Sequence, residues 1–374
     1  MSDYKIAICC ITYNRKNSLE RLLNSLNDVR YEKDIPLIIS VDKSDSSEVE
    51  EFADSFCWRF GEKRVIKHKE NLGLRKHVLS CGDLLEEYDA LVVLEDDISV
   101  SPAFFQFTTE CVEKYYNSPE IAGISLYSWN LNSHNFFPFI PIRTNSDVYR
   151  LQLAQSWGQV WMKNQWKEFI QWYQSPDSEF KETKHLPNSI CHWSEKSWLK
   201  YHIKYCIEKR KYFIYPYVSL STNHSECGTH NKKVMTDCQV PILMEFREKF
   251  ILNPTVTYDA FFENEKIYEH LNLSKEFLCI DIYGNKDNKE RKRYWLSTKR
   301  TGYKIINSFG IQYKPIEVNV LKDVPGTMIF LYDTSKGKRH FCLGGINIIN
   351  YFYNYTSLLS HVKNIIKYMV GKDF

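Results

Sequence analysis

Over the first 130 residues, apolar runs alternate with amphipathic stretches. Ile6-Ala7-Ile8-Cys9-Cys10-Ile11 is continuously apolar, as expected of a strand buried on both faces of a largely parallel sheet. Leu19, Leu22, Leu23 and Leu26 then recur at helical spacing, which predicts a helix over residues 17–26. The alternation continues with strands over 36–41, 64–68 and 90–94 and helices over 48–60 and 71–87. Each strand runs into a polar segment: Thr12-Tyr13-Asn14-Arg15, Asp42-Lys43-Ser44 and Glu95-Asp96-Asp97. This predicts an α/β domain with a mixed, mainly parallel sheet flanked by helices. In such sheets the ligand crevice lies beyond the carboxyl ends of the strands.

Further strands are expected over 121–127 and 212–220, with a polar-aromatic loop at 128–145 and an aromatic helix from 194 to 208. Trp161 and Trp166 read as packing of a helix onto the sheet. Past residue 232 the regular alternation fades, so we divide the chain into 1–232 and a C-terminal α+β extension, 233–374. The extension shows strand patterns at 277–283, 302–306 and 327–332. A hairpin turn is expected at Ser335-Lys336-Gly337-Lys338, and a helical, aromatic stretch at 347–369 that suits docking on the core or lying on a membrane surface.

Composition narrows the class. With 374 residues, 43% of them hydrophobic, the chain can bury a sizeable core. No run reaches the roughly 18–20 apolar residues that span a bilayer. The first residues enter a strand pattern without a signal-peptide architecture, and the 11 cysteines include no CxxC pair. Both features fit a cytoplasmic protein, with peripheral contact at the inner face of the cell membrane. The net charge of +3 hides an asymmetry: from Lys275 onward there are 17 Lys and Arg against 8 Asp and Glu, and before it 32 against 38. A basic last third suits an anionic membrane surface or a nucleic acid.

The chemistry concentrates at Glu95-Asp96-Asp97. Three successive carboxylates at the end of a buried strand repel one another, and a hard divalent cation relieves that repulsion. There is no GxGxxG and no GxxxxGK[ST] in the chain, so neither the dinucleotide fingerprint nor the P-loop is present. A nucleotide would be gripped by the Thr12-Tyr13-Asn14 turn and by Asp42.

Four segments in order, Ile8 through Arg15, Asp42-Lys43-Ser44, Asn71-Leu72-Gly73-Leu74-Arg75 and Leu94-Glu95-Asp96-Asp97-Ile98, together resemble an inverting nucleotide-sugar glycosyltransferase of the GT-A (Rossmann-like) fold. The triplet is similar to the Glu-Asp-Asp segment of the N-acetylglucosaminyltransferase I group and to bacterial family 2 sugar transferases. The resemblance implies Asp97 as ligand of Mn²⁺ or Mg²⁺, with Glu95 and Asp96 on ribose or sugar hydroxyls. It places Thr12, Tyr13, Asn14, Arg15, Asp42, Asn71 and Gly73 on the donor, with Arg75 as a second cation for its diphosphate. Ser156-Trp157-Gly158 resembles the Ser-Trp-Gly motif of the bacterial enzymes, which adds Trp157 and Gly158 to the donor set. Gly228-Thr229-His230 resembles the family's late Gly-Thr-His, and implies His230 as a metal ligand, with His224 as the alternative.

An inverting transfer needs one general base on the acceptor side. Asp177, Glu179, Glu182 and Glu195 are candidates, and Glu195, at the start of an aromatic helix, is chosen. The expected function is metal-dependent transfer from a nucleotide-sugar, a UDP-sugar favoured, to a glycan or lipid-linked acceptor in bacterial surface polysaccharide synthesis. Two other classes compete. One is a nucleic-acid-binding protein using the basic third, although the chemically loaded segment lies in the acidic part. The other is a nucleotidyltransferase using the same triplet, against which the missing phosphate loop argues.

Overall fold

The computed structural model describes residues 4–181, 183–226, 236–286, 291–338 and 346–353. They group into two units. One comprises residues 1–128 and 143–260, the other 129–142 and 261–374. The division expected at residue 232 falls within 227–235, outside the described residues.

The first unit is built on a nine-stranded sheet. Its strands are β1 (Ile6–Thr12), β2 (Leu37–Val41), β3 (Lys63–Lys67), β4 (Ala90–Glu95), β6 (Ile121–Ser125), β7 (Val148–Leu151), β8 (Gln159–Met162), β9 (Tyr212–Pro216) and β11 (Thr257–Tyr258). The order is β11-β7-β9-β6-β8-β4-β1-β2-β3. Pairing is parallel from β4 through β1 and β2 to β3, while β8 runs antiparallel to both β4 and β6. This is the mixed, mainly parallel sheet expected from the alternation of apolar runs and amphipathic stretches. A two-stranded ribbon joins β5 (Ile98–Val100) to β10 (Ser221–Asn223).

Local sequence explains the layers. All seven residues of β1 are buried, because helices cover both faces and leave no water-facing side to alternate. On one face lie α1 (Lys16–Asn27), α2 (Glu48–Ser55) and α4 (Phe104–Tyr115). The leucines at 19, 22, 23 and 26 of α1 join Ile8, Cys10, Val92 and Leu94 in one core. On the other face lie α3 (Leu74–Cys81), α5 (Lys163–Tyr173) and α7 (Leu199–Glu208), with the short α6 (Asn188–Cys191) before the last. There Trp161 stacks on Trp166 with centroids 3.7 Å apart and meets Trp198 edge-on, so both expected packing tryptophans do pack.

Strand order locates the crevice. From β1 the chain winds outward through β2 to β3, then returns across the sheet to β4 on the opposite side of β1. A parallel sheet opens a binding crevice where its winding reverses, at the carboxyl ends of the two central strands. Here those ends are Thr12 and Glu95.

The second unit holds a four-stranded sheet of β12 (Leu278–Asp281), β13 (Tyr294–Ser297), β14 (Tyr303–Phe309) and β15 (Ile329–Gly337), in the order β12-β13-β15-β14. Three short helices accompany it: α8 (Lys266–His270), α9 (Val318–Leu321) and α10 (Ile346–Tyr353). Residues 129–142, sequence-distant from the rest, belong here: Phe137 stacks on Phe352 at 4.7 Å, and Asn135 Nδ2 donates to the Tyr283 carbonyl at 2.8 Å. The hairpin turn expected at 335–338 is not a turn. β15 continues to Gly337, which pairs with Tyr303 across a register shift. Its polar Ser-Lys-Gly composition mimics a turn, but the strand runs through it: β14 skips residues 334–336 and pairs again at Gly337, whose φ is +90°. No helix among the described residues is long and apolar enough to cross a membrane. Most of the helical stretch expected at 347–369 lies outside the described residues.

Candidate active site

The Thr12–Arg15 turn ends β1 and the acidic triplet ends β4, and the two ends are bonded to each other. Asp96 is buried. Its Oδ2 accepts from Thr12 Oγ1 at 2.8 Å, and its Oδ1 is paired with the Arg15 guanidinium. Burial pushes the Asp96 carboxyl up to about 6, although Arg15 and Thr12 pull the other way. Glu95 is pushed higher, to about 8, first by burial and then by the charges of Asp97 and Asp96. Such shifts are what loss of water and crowded like charge produce together.

Asp97 is the least committed of the three. Its Oδ2 lies 3.4 Å from Arg15, and its Oδ1, shielded from solvent, has no hydrogen-bond partner among the described residues. Its carbonyl is held by the backbone N–H of His224 at 2.9 Å. The His224 ring turns to Ser99 Oγ at 2.9 Å instead of to a carboxylate. Asp97 therefore sits in a strand ribbon that fixes its main chain and leaves one carboxylate oxygen open. Among the described residues no group of three or more His, Cys, Asp and Glu is gathered to hold a metal. Asp97 thus offers one hard oxygen ligand, which suits a divalent cation that draws its other ligands from substrate phosphate and water. His230 and Glu182 lie outside the described residues.

Asp42, at the end of β2, is buried and engaged by backbone. Its Oδ1 accepts from Leu72 N at 2.8 Å and its Oδ2 from Gly73 N at 3.0 Å. Asn71 Nδ2 donates to the Lys43 carbonyl at 2.9 Å. Gly73 has φ +72°, a conformation that favours glycine, and it opens α3. Asp42 thereby fastens the 71–73 turn and sets where Arg75 emerges. Beneath it Ser40 Oγ bridges His77 Nε2 at 2.8 Å and His68 Nε2 at 3.3 Å, with burial pushing His77 down to about 4. Tyr13 and Asn14 are exposed beside this end of the sheet.

Trp157 and Gly158 close the crevice from β8. Trp157 packs edge-on against Tyr127 at 4.9 Å. Gly158 has φ +90°, and a Cβ there would come within 3.0 Å of Ser221 Oγ. Ser221 Oγ itself donates to the Trp157 carbonyl at 2.6 Å.

Arg75 and Glu195 meet through a third residue. Arg75 donates to Tyr201 Oη at 2.9 Å, and Tyr201 donates to Glu195 Oε2 at 3.1 Å. Lys200, buried, bonds the other Glu195 oxygen and, with Tyr201, holds this carboxyl below its ordinary range. Asp177 and Glu179 are exposed and lie near Lys209 and Lys181, respectively.

One contact has no sequence signal. Glu226 accepts both Arg21 guanidinium nitrogens, at 2.7 and 2.8 Å, and Ser18 Oγ at 2.7 Å. It ties the segment after β10 to α1 across 205 positions. Arg21 and the buried Ser18 lie on a helix whose apolar stripe was legible, but their partner was not.

Residues 7–158 match the model of the family described as glycosyl transferase family 2. The likeness is confined to this segment, which is less than half of the chain. Among solved structures, similarity is found to S. aureus TarS residues 1–349, at 14% identity over 57% of this chain and 60% of that one, with a TM-score of 0.35. It is also found to the mannosyltransferase PcManGT from Pyrobaculum calidifontis in complex with GDP-Man and Mn²⁺, at 13% over 46% and 47%, TM-score 0.31. For GalNAc-T7 with UDP, GalNAc and Mn²⁺ the figures are 11%, 58%, 43% and 0.38. The match thus spans between two fifths and three fifths of each of these chains. No curated protein matches the chain.

Two outcomes follow for the stability of this arrangement. Arg15→Ala strands a buried carboxylate, so unfolding in urea should show a loss of about 3 kcal/mol, largely recovered when Asp96→Asn is added. The second concerns pH. Glu226 is pulled from 4.5 to about 2, chiefly by Arg21. A depressed carboxyl stabilises the fold above its unfolded value and loses that effect as pH falls through the folded one. The difference in Tm between wild type and Arg21→Ala should therefore stay constant from pH 7 to about 5 and shrink toward pH 2. A difference that grows on acidification would contradict the assignment.

Proposed function

We propose that this glycosyltransferase moves a sugar from a nucleotide-sugar, a UDP-sugar first, to a glycan or lipid-linked acceptor with inversion at the anomeric carbon. Surface polysaccharide synthesis at the cytoplasmic face of a bacterial membrane is the setting proposed for it. The observation that carries the reading is the Oδ1 of Asp97, without a hydrogen-bond partner among the described residues, at the switch point of the segment that matches glycosyl transferase family 2. Mn²⁺ or Mg²⁺ fits there with Asp97 as its carboxylate ligand. Such a cation, when bound, neutralises charge that grows on the departing diphosphate.

The chain's own groups do the remaining work. Thr12 and Arg15 hold Asp96 and thereby fix the backbone that presents Asp97. Asp42 sets the 71–73 turn, so Arg75 enters the crevice from a fixed helix start as the second cation of the donor site. Gly158 lets the chain pass close to Ser221, and Trp157 supplies an apolar wall beside it. Glu195 is assigned the general base. Its bonds to Lys200 and Tyr201 keep it ionised at neutral pH, as a proton acceptor has to be, and also reduce its basicity.

Transfer is tested by release of nucleoside diphosphate from UDP-, GDP- and dTDP-sugars, with and without Mn²⁺. One donor should support turnover only with metal, and Asp97→Ala should lower kcat by about 100-fold or more while removing Mn²⁺-dependent UDP binding. Full metal-dependent turnover by Asp97→Ala would overturn the site. Glu195→Gln should lower kcat by at least about 100-fold with the KM for donor unchanged. Wild-type kcat in that variant would reduce Glu195 to an anchor for Tyr201.

A further inference from the structure

The second unit carries a surface that the transferase reading does not use. Among the described residues its sheet ends on β14, which pairs with β15 alone. Residues 304–307 of β14 are all exposed, and Ile305 and Ile306 are each 49% exposed. Between Ile305 and Asn307 the register shifts, so Ile306 has no opposite residue on β15. Two adjacent isoleucines thus stand out on a bulged, free edge.

Cations surround them. Lys304 flanks the pair, and Lys336 and Lys338 lie at the exposed end of β15. None of the three is held in an ion pair among the described residues. Arg293 and Arg300 are exposed at the two ends of β13. The carboxylate on these strands, Asp333, is buried and taken up by the Ser335 N–H and hydroxyl. The surface therefore offers positive charge with apolar side chains at its centre.

Charge and shape choose the occupant. A free edge could recruit another strand, but a bulge and a lysine are features that block such pairing. A nucleic acid would use the cations but would have no use for two isoleucines without a stacking platform. An anionic lipid surface uses both: lysines are drawn to its negative charge, and apolar side chains enter the headgroup boundary. We propose that the β14 edge, with Ile305, Ile306, Lys304, Lys336 and Lys338, docks the enzyme on an anionic lipid surface. This names a surface for the peripheral contact and rests on the transferase reading only for the lipid-linked acceptor.

The test is flotation of the full chain with phosphatidylcholine vesicles, with or without phosphatidylglycerol, in the absence of donor, metal and acceptor. Its outcome is thus separate from that of the transfer assay. Binding is expected only to the anionic vesicles and should fall with added salt. Lys304→Glu with Lys336→Glu should reduce it at least about tenfold, and Ile305→Ser with Ile306→Ser should also reduce it. Lys167→Glu with Lys249→Glu, the same change in net charge on the first unit, should leave it unchanged. Equal loss in that control would make the effect one of net charge and overturn the proposal. So would equal binding to both vesicle types, full binding by the isoleucine variant, or capture of RNA without capture of vesicles.

Discussion

The crowding of three carboxylates at the end of a buried strand governs the site. β4 is apolar up to Leu94, and the chain then places Glu95, Asp96 and Asp97 where water is scarce. Unrelieved, that arrangement would favour protonation, and the upward shifts at Glu95 and Asp96 show the pressure. Arg15 and Thr12 relieve it at Asp96, the most deeply buried of the three. Their bonds also tie the end of β1 to the end of β4, so one set of contacts balances charge and fixes the crevice. Among the described residues Asp97 is left with an open oxygen, because its neighbour has taken the stronger partners.

The same economy recurs nearby. Asp42 spends its carboxylate on two backbone N–H groups, and Glu226 spends its own on Arg21 and Ser18. A carboxylate bonded in this way is a structural fastener whose charge is satisfied before any ligand arrives. The resemblance that marks Asp42 as a donor contact and the structure that shows it holding the 71–73 turn are compatible, because a carboxylate can accept more than the bonds found here. The turn it fastens is itself part of the expected donor site.

Much of this was legible in the chain. Buried parallel strands leave long apolar runs, and helices leave stripes, so β1 through β4 and the helices between them emerged with their polar ends attached. Those ends line the candidate site. The triplet stood out because like charges in sequence have no structural use on a strand end. What could not be read depends on tertiary contacts. Nothing in Arg15 distinguishes a ligand contact from the counter-ion of Asp96. Glu226 and Arg21 are joined only by the fold. Residues 129–142 look like an ordinary loop, and only their packing with Phe352 and Tyr283 assigns them to the second unit. Ser335–Gly337 carries turn composition, yet β15 runs through it to a pairing of Gly337 with Tyr303.

Glu195 shows where residue type stops informing mechanism. A glutamate at a helix start on the acceptor side satisfies the sequence criterion for a base. In the structure it is the last member of a chain running from Arg75 through Tyr201, with Lys200 buried against it. That chain couples a cation expected at the donor diphosphate to a carboxylate expected at the acceptor, through a single phenol. Arg75 and Glu195 are therefore not independent: moving the guanidinium toward a diphosphate would withdraw a bond from Tyr201 and change how firmly Tyr201 holds Glu195. Because Tyr201 donates to the carboxylate, loosening that bond would raise the affinity of Glu195 for a proton. Donor binding and base strength would then be linked through Tyr201, while the larger hold of Lys200 on Glu195 would persist in both states.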